Sequence, residues 1–383
     1  MWGVFRRFGK FAQIQELGKF PAEIGKHLTA LGNANIYKSY MGQKPVQILD
    51  LLYRSSKKKL DLHTIRWENC SEMKVFLKEL PPKLNGYSLV NIIVIMKCCS
   101  KLMINDEGLW KSLEQAVINK IDELKERQLY DVASAFSHNK YTSLELWKEI
   151  QRVIINNFCP EHNMQSHVIA SIISQYEKLG LLDQNFLIIL EQQIIRTYLH
   201  LDGTETSRIL QIYLKHKVGS DDFYKFLTKQ ARLTLNTMDC FSVALALTSY
   251  VKLLKGDQVD EFEKHILLLS HHANIQIIGS IFYNYAKHMP VPIKKNTERR
   301  RFMQELIELL ESNNRIIDKN ATTKDLVFTL YGMSVGNFFD KKEIWKKISE
   351  KATRLGIKNK EDKFLFEEIE RILKENGVES LIQ

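Results

Sequence analysis

Few residues in this chain of 383 stand at the spacings that bond-making chemistry needs. Cys159 and His162, in the run Cys-Pro-Glu-His, bring a thiol and an imidazole close together, but a zinc site asks for a second ligand pair and none lies nearby. A turn between helices accounts for the run more simply. His265, His271 and His272 could share one stretch of helix, yet no Cys or acid repeats beside them at ligand spacing. No GxxxxGKS loop, GxGxxG turn, HExxH or paired CxxC occurs. Cys98 and Cys99 sit in an apolar segment, where burial is the default for a free thiol. The acidic pairs Asp221-Asp222 and Glu367-Glu368 fall in polar stretches that a solvated face or a helix N-terminus explains. No nucleophile stands beside a base, so the chain is expected to be no enzyme, with no cofactor, no metal and no small-molecule substrate.

Cationic groups are the remaining candidates. Lys plus Arg number 55 and Asp plus Glu 45, a net charge of +10. The excess is uneven: residues 1–100 hold 16 basic and 7 acidic side chains, and residues 101–383 hold 39 and 38. Such a basic end suits nucleic acid, anionic lipid or an acidic protein. Three sets of residues are candidate RNA contacts. The first is the cluster Arg54, Lys57, Lys58, Lys59 and Arg66, whose Arg-Ser-Ser-Lys-Lys-Lys core suits phosphates, though a solvated loop explains it equally well. The second is Lys294, Lys295, Arg299, Arg300 and Arg301, within an insertion spanning Met289 to Arg301. The third is a series, Lys101, Lys140, Lys178, Lys217, Lys252 and Lys287, each closing the first helix of a pair. Unpaired carbonyls stabilise a cation there by about 0.3–1 kcal/mol, which is reason enough for the series to exist. The functional alternative is a groove in which one lysine per pair meets phosphate and an aromatic two positions earlier stacks on a base.

The elements that must carry these groups are helical. From about residue 85, apolar residues recur at spacings of three and four, as in Ser88 to Lys101, Leu113 to Leu124, Val168 to Lys178 and Leu187 to Tyr198. Pro81-Pro82, Asn85-Gly86, Cys159-Pro160, Asp202-Gly203, Gly219-Ser220 and Lys255-Gly256 punctuate them, and the alternation of a strand is missing. The segments come in pairs. Trp110, Trp147, Phe186, Phe223, Phe262, Phe302 and Trp345 open every second helix at separations of 37, 39, 37, 39, 40 and 43. Counted back from the lysines, position −8 holds Ile93, Val132, Ala170, Ile209, Ala244 or Gly279. Position −5 holds Met96, Ala135, Ile173, Ile212, Leu247 or Phe282, and position −2 holds Cys99, His138, Tyr176, Lys215, Tyr250 or Tyr285. These positions share one helical face. The expectation is an all-α chain: an α-solenoid of about seven stacked helical hairpins over residues 85–354. A basic helical region, 26–84, precedes it and does not fit the repeat. A capping helix in 355–383, centred on Asp362 to Leu373, closes it. The last pair, Thr322 to Arg354, has Val335 where lysine is expected.

Residues 1–25 carry a different pattern. Phe5, Phe8 and Phe11 recur every three residues, with Arg6, Arg7 and Lys10 on the other side and Glu16 the one acid among the first twenty. A basic, acid-poor amphipathic helix has the form of a mitochondrial targeting segment, and an ordinary helix packing its aromatics is the plainer account. Five cysteines, odd in number and irregular in spacing, exclude a disulfide scaffold and fit a reducing compartment. The richest apolar stretch, Leu89 to Met96, is too short to span a bilayer, so no transmembrane segment is expected.

The units Leu129 to Ile154, His167 to Ile195 and Phe241 to Ile266 share an apolar first helix ending near Tyr-x-Lys-Leu, a short link, and a second helix opening on an aromatic. In this they resemble the heptatricopeptide and octotricopeptide helical repeats of organellar proteins related to the FAST-kinase and RAP-domain group. The resemblance covers roughly Leu89 to Arg354. It implies an α-solenoid in mitochondria or plastids that binds organellar RNA for processing, stability or ribosome assembly. A C-terminal RAP domain is not expected, since residues 355–383 are helical and too few. The resulting expectation is a mitochondrial matrix protein bound to organellar RNA, above all ribosomal RNA, among neighbouring proteins of a large assembly. The alternative is a structural scaffold that touches only protein, which the near-neutral charge of residues 101–383 favours.

Overall fold

A computed structural model describes residues 24, 27, 44–59, 67, 70–139, 141, 143–159, 164–197, 201–253, 259–289, 292–313 and 321–382. Among these residues the long elements are all α-helices and no strand occurs. Nearly all of the expected targeting segment, Met1 to Glu23, lies outside the described residues, as do Arg66 and Lys140. The chain divides after Thr197 into two compact units.

The first unit contains α1 (Lys44–Lys59), α2 (Ser71–Glu79), α3 (Leu89–Leu102), α4 (Glu107–Ile118), α5 (Glu126–His138), α6 (Leu144–Val153), α7 (Ser166–Leu179) and α8 (Gln184–Thr197). The second contains α9 (Gly203–His216), α10 (Asp221–Leu233), α11 (Cys240–Lys252), α12 (Asp260–Leu268), α13 (Ile275–His288), α14 (Thr297–Ser312), α15 (Thr323–Val335), α16 (Lys342–Leu355) and α17 (Lys360–Glu375). Helix starts follow from short polar side chains that accept from an otherwise unpaired amide. Asp106 accepts from Leu109 N, Asp202 from Glu205 N and Asp239 from Ser242 N, each at 2.7 Å, and Ser220 accepts from Phe223 N at 3.1 Å.

In the first unit α1, α3, α5 and α7 lie side by side in one row; in the second α9, α11, α13, α15 and α17 do the same. The helix after α3, α7, α9, α11 and α15 folds back against it, making the hairpins α3–α4 and α7–α8 in one unit and α9–α10, α11–α12 and α15–α16 in the other. Helix α14 returns to α13 through Phe302 against Tyr285, and α6 is tied to the link after α5 through Trp147 and Tyr141. Helix α17 packs on α15 as a terminal member, where the capping helix was expected. Helix α1 joins its row against α3, although residues 26–84 did not fit the repeat when read from sequence.

The recurring rings are core. Trp110, Trp147, Phe186, Phe223, Phe262, Phe302 and Trp345 are all buried. In the second unit Phe223, Phe262 and Phe302 each meet a ring from their own hairpin's first helix, Tyr213 and Tyr250 with centroids 4.7 Å apart and Tyr285 at 5.9 Å, while Trp345 meets Phe339 of its link. Tyr176–Phe186 repeats the pairing in the first unit at 5.4 Å. Trp110, Trp147 and Trp345 also donate their indole N–H to the carbonyl of Ile104, Tyr141 and Phe338 in the preceding link. A bulky ring at a fixed place thus fills the hairpin and ties down its turn.

The backbone corrects the lysine register. Six row helices end with the same bond, from an amide just past the helix to the carbonyl of one residue in the last turn. The acceptors are Cys99, Phe136, Tyr176, Tyr213, Met333 and Leu373. Four residues beyond five of them stands the left-handed residue: Met103, Gly180, Lys217, Asn337 and Gly377. Lys217 (φ 54°) is therefore the equivalent of Gly180, not of Lys178, and the position two after the acceptor is filled by Lys215. By the same count the α5 position is His138, not Lys140. With that slip removed, position −2 becomes Cys99, Phe136, Tyr176, Tyr213, Tyr250 and Tyr285, all buried; His138 and Lys215 leave it because both are exposed.

Candidate nucleic-acid interface

The corrected series is Lys101, His138 and Lys178 in the first unit and Lys215, Lys252 and Lys287 in the second, and all six side chains are exposed. They close successive row helices, so within each unit they lie along one edge of the row. Two contacts define the face that continues from this edge. Lys97 of α3 bridges to Asp131 of α5 at 2.9 Å, joining the residue four before Lys101 to the residue seven before His138. Tyr283 of α13 stacks on Phe328 of α15 in the same relation, four before Lys287 and seven before Val335, with centroids 4.0 Å apart and planes within 9°.

Around that ring pair the second unit concentrates cations. Lys287 Nζ donates to the Tyr283 hydroxyl at 2.7 Å and lies 5.1 Å from its ring centroid, and Lys324 Nζ lies 5.2 Å from that of Phe328. Tyr331 adds a third ring 6.0 Å from Tyr283. The hydrogen bond to Tyr283 holds the Lys287 ammonium above its ordinary pKa. Burial of its stem, then the Lys287 charge, lowers that of Lys252. Burial followed by the charges of Lys252 and Lys287 also lowers that of His288. Lys252, Lys287 and His288 crowd together here, with the Glu361 carboxylate of α17 acting on Lys287 and Asp362 acting with Lys324, and an anion beside Lys252 and His288 would relieve the crowding. In the first unit, Lys101 Nζ lies 5.1 Å from the Tyr53 ring of α1.

The ring pair exists because two helices approach unusually closely. A Cβ added to Gly279 would stand 2.5 Å from the carbonyl oxygen of Asp325, and one added to Gly332 would stand 2.5 Å from Cβ of Phe282. Any larger residue at either place would push α13 and α15 apart.

The other two expected clusters fare differently. Arg54 and Lys57 are exposed on α1, a helix rather than a loop, and Arg54 pairs with Asp50 at 2.7 Å. The backbones of Lys58 and Lys59 belong to the same helix. The expected insertion is mostly helix: a short 3-10 turn carries Lys294 and Lys295, and α14 starts at Thr297. Three consecutive residues on a helix point about 100° apart, so Arg299, Arg300 and Arg301 cannot share a surface. Arg299 is 5% exposed and forks between Glu263 and Asp260 of α12, which removes it from the RNA-contact set. Arg300 donates to the carbonyls of Gly336 and Asn337 and lies over the Phe338 ring, so it too works inside the fold. Arg301 is exposed and pairs with Glu305 at 3.1 Å; Lys295 is exposed.

The second helices of the hairpins meet sparsely and leave clefts between them. One, of about 480 Å³, lies between α10 and α12 and is lined by Lys225, Lys229, Arg232, Tyr250 and Glu261. Another, of about 490 Å³, lies beside α6 and is lined by Trp147, Gln151, Arg152 and Tyr176. Neither gathers a nucleophile and a base. Among the described residues, no three His, Cys, Asp or Glu side chains gather at metal-binding distance, and no helix is long and apolar enough to cross a membrane. No protein-family model matches the chain, and no curated protein matches it.

Proposed function

We propose that the chain is a non-catalytic helical-repeat protein of the mitochondrial matrix that binds organellar RNA, with ribosomal RNA in a mature or assembling mitochondrial ribosome as its target. The row of cations at one fixed register position carries this reading. Helix dipoles alone would favour cations at the ends of both sets of helices. The second helices do so unevenly: Arg152, Arg196, Arg232 and Arg354 stand in last turns, whereas α4 and α14 have no basic residue there. Two of the four are neutralised, Arg152 by Asp122 and Glu149 and Arg232 by a two-pronged bond to Glu261. Lys252 instead faces Lys287 and His288. A surface that leaves like charges together suits a polyanion. The basic, acid-poor pattern of the first twenty residues and the likeness to heptatricopeptide repeats support the organelle and the RNA.

A protein-only scaffold is the second reading. Leu144, Leu233 and Leu268, exposed by 60, 71 and 74%, stand on the second helices, and the first two flank the clefts described above. Ultraviolet crosslinking of the native chain in isolated mitochondria separates the two. RNA attached to the protein, and lost when Lys215, Lys252 and Lys287 become Gln, supports the first reading. Co-sedimentation with an assembly but no attached RNA supports the scaffold.

A further inference from the structure

We propose that the exposed row face of the second unit is a site for single-stranded RNA, whose bases stack on Tyr283, Phe328 and Tyr331 while its phosphates lie on Lys252, Lys287 and Lys324. The proposal rests on the RNA reading above and adds to it a strand type and a place. Cations alone would hold any polyanion; the rings make the distinction. Duplex RNA turns its bases inward and offers backbone, whereas an unpaired strand offers flat faces that aromatic side chains bind without regard to sequence.

Three features of the patch fit that ligand. First, the rings are half-exposed rather than sealed in the core, unlike Tyr285 and Phe282 on the same helix, which are fully buried. Second, they do not stand alone: Phe241, in the first turn of α11, and Phe364, one turn into α17, are 44 and 67% exposed. Both occupy the place that Lys324 holds in α15, eleven residues before the closing position, so ring and cation recur along the row. Third, the lysines are positioned to exchange partners. An exposed ammonium over a ring is held more weakly than a nucleobase stacked on it. A base that displaces Lys287 or Lys324 from its ring frees that ammonium for the phosphate next to it. Lys324 also holds a cation in the first turn of a helix, where the dipole opposes it. On α17, which packs directly against α15, Arg371 pairs with Glu368 and Glu375, and these charges bound the patch beside Tyr331.

The test uses the full chain and a fluorescein-labelled oligouridine of about 20 nucleotides, long enough to cover several stacking platforms. Anisotropy is read against a duplex RNA of equal length. The double variant Tyr283→Leu with Phe328→Leu keeps apolar bulk and removes the flat faces. It is expected to weaken oligouridine binding about tenfold or more while leaving duplex binding within about twofold. Equal oligouridine affinity of variant and wild type overturns the stacking site and leaves the RNA reading standing. Wild-type chain that binds neither RNA overturns both. Equal loss for both RNAs shows a general effect on fold or charge and also overturns the stacking site. A second measurement needs no variant: wild-type chain crosslinked to 4-thiouridine RNA and digested must carry RNA on peptides holding Tyr283, Phe328 or Tyr331, and attachment confined to other peptides overturns the proposal.

Discussion

The hydroxyl of Tyr176 donates to the carbonyl of Trp147 at 2.6 Å, reaching from one hairpin into the second helix of the hairpin before it. The same stitch recurs in the second unit, where Tyr250 donates to the Thr228 carbonyl and Tyr285 to the Glu263 carboxylate. Tyrosine in place of phenylalanine therefore links hairpins as well as filling them. Tyr176→Phe keeps the ring against Phe186 and Trp147 and removes only the bond, so a loss of about 0.5–1.5 kcal/mol is expected in denaturant unfolding. A loss of several kcal/mol would mean that the ring itself had moved.

Arg299 answers a buried acid. Burial raises the Glu263 carboxyl above its ordinary pKa by more than the Tyr285 hydroxyl and Arg299 pull it down. Arg299→Met leaves that carboxylate without its guanidinium and is expected to cost about 3–5 kcal/mol near neutral pH. Adding Glu263→Gln removes the stranded charge, keeps an acceptor for Tyr285 and should recover most of the loss. The pH response has a definite sign. A carboxyl whose folded pKa lies above its unfolded value favours the folded state as pH falls, so the single variant should regain stability relative to wild type on acidification towards about pH 4. Melting curves at several pH values check both statements.

Salt provides a direct reading of the cation row. Single-stranded nucleic acid releases about 0.7 counterion per phosphate neutralised, so Lys215, Lys252 and Lys287 together contribute about 2 to the slope of log affinity on log salt. Replacing all three with Gln should flatten the slope by about that amount. Replacing Arg299 would leave the slope unchanged, because that residue already has its anions.

The thiols are expected to be unreactive. Burial pushes Cys70 and Cys240 up to about 11 and Cys98 up to about 12, and raises Cys99 and Cys159 as well. A shift of two units from 9.0 leaves about a hundredfold less thiolate at neutral pH. Alkylation of the native chain at pH 7.5 should lag far behind that of the denatured chain, and should accelerate as pH rises. Rapid modification of any of the five would contradict this.

Helix class, hairpin pairing and ring period were all legible in the amino-acid sequence, because each depends on apolar spacing that a helix imposes. The exact register was not. Lys215-His216-Lys217 offers two lysines, and only the backbone tells the last helical turn from the left-handed residue beyond it. The arginine run 299–301 misled for a related reason: adjacent letters suggest one patch, whereas helical rotation sends one side chain into the core, one onto a loop and one to solvent. Tyr283, Phe328 and Tyr331 carry no period in the sequence, because they belong to the columns four and seven before the lysine, where residue types vary from hairpin to hairpin. Aligning those columns across neighbouring hairpins would have brought Tyr283 beside Phe328. Helix α1 was not legible because residues 26–84 offer no register that matches the lysines and rings of the later hairpins.

The glycine seam has a mechanical consequence. With Gly279 against the Asp325 backbone and Gly332 against Phe282, α13 and α15 lock at a depth that a side chain at either glycine would forbid. Shearing such a seam breaks many short contacts at once, whereas neighbouring seams can peel contact by contact. Stretched from its C-terminus by optical tweezers, the second unit should release α13 through α16 in a single rip rather than one hairpin at a time. Gly279→Ala should split that rip in two.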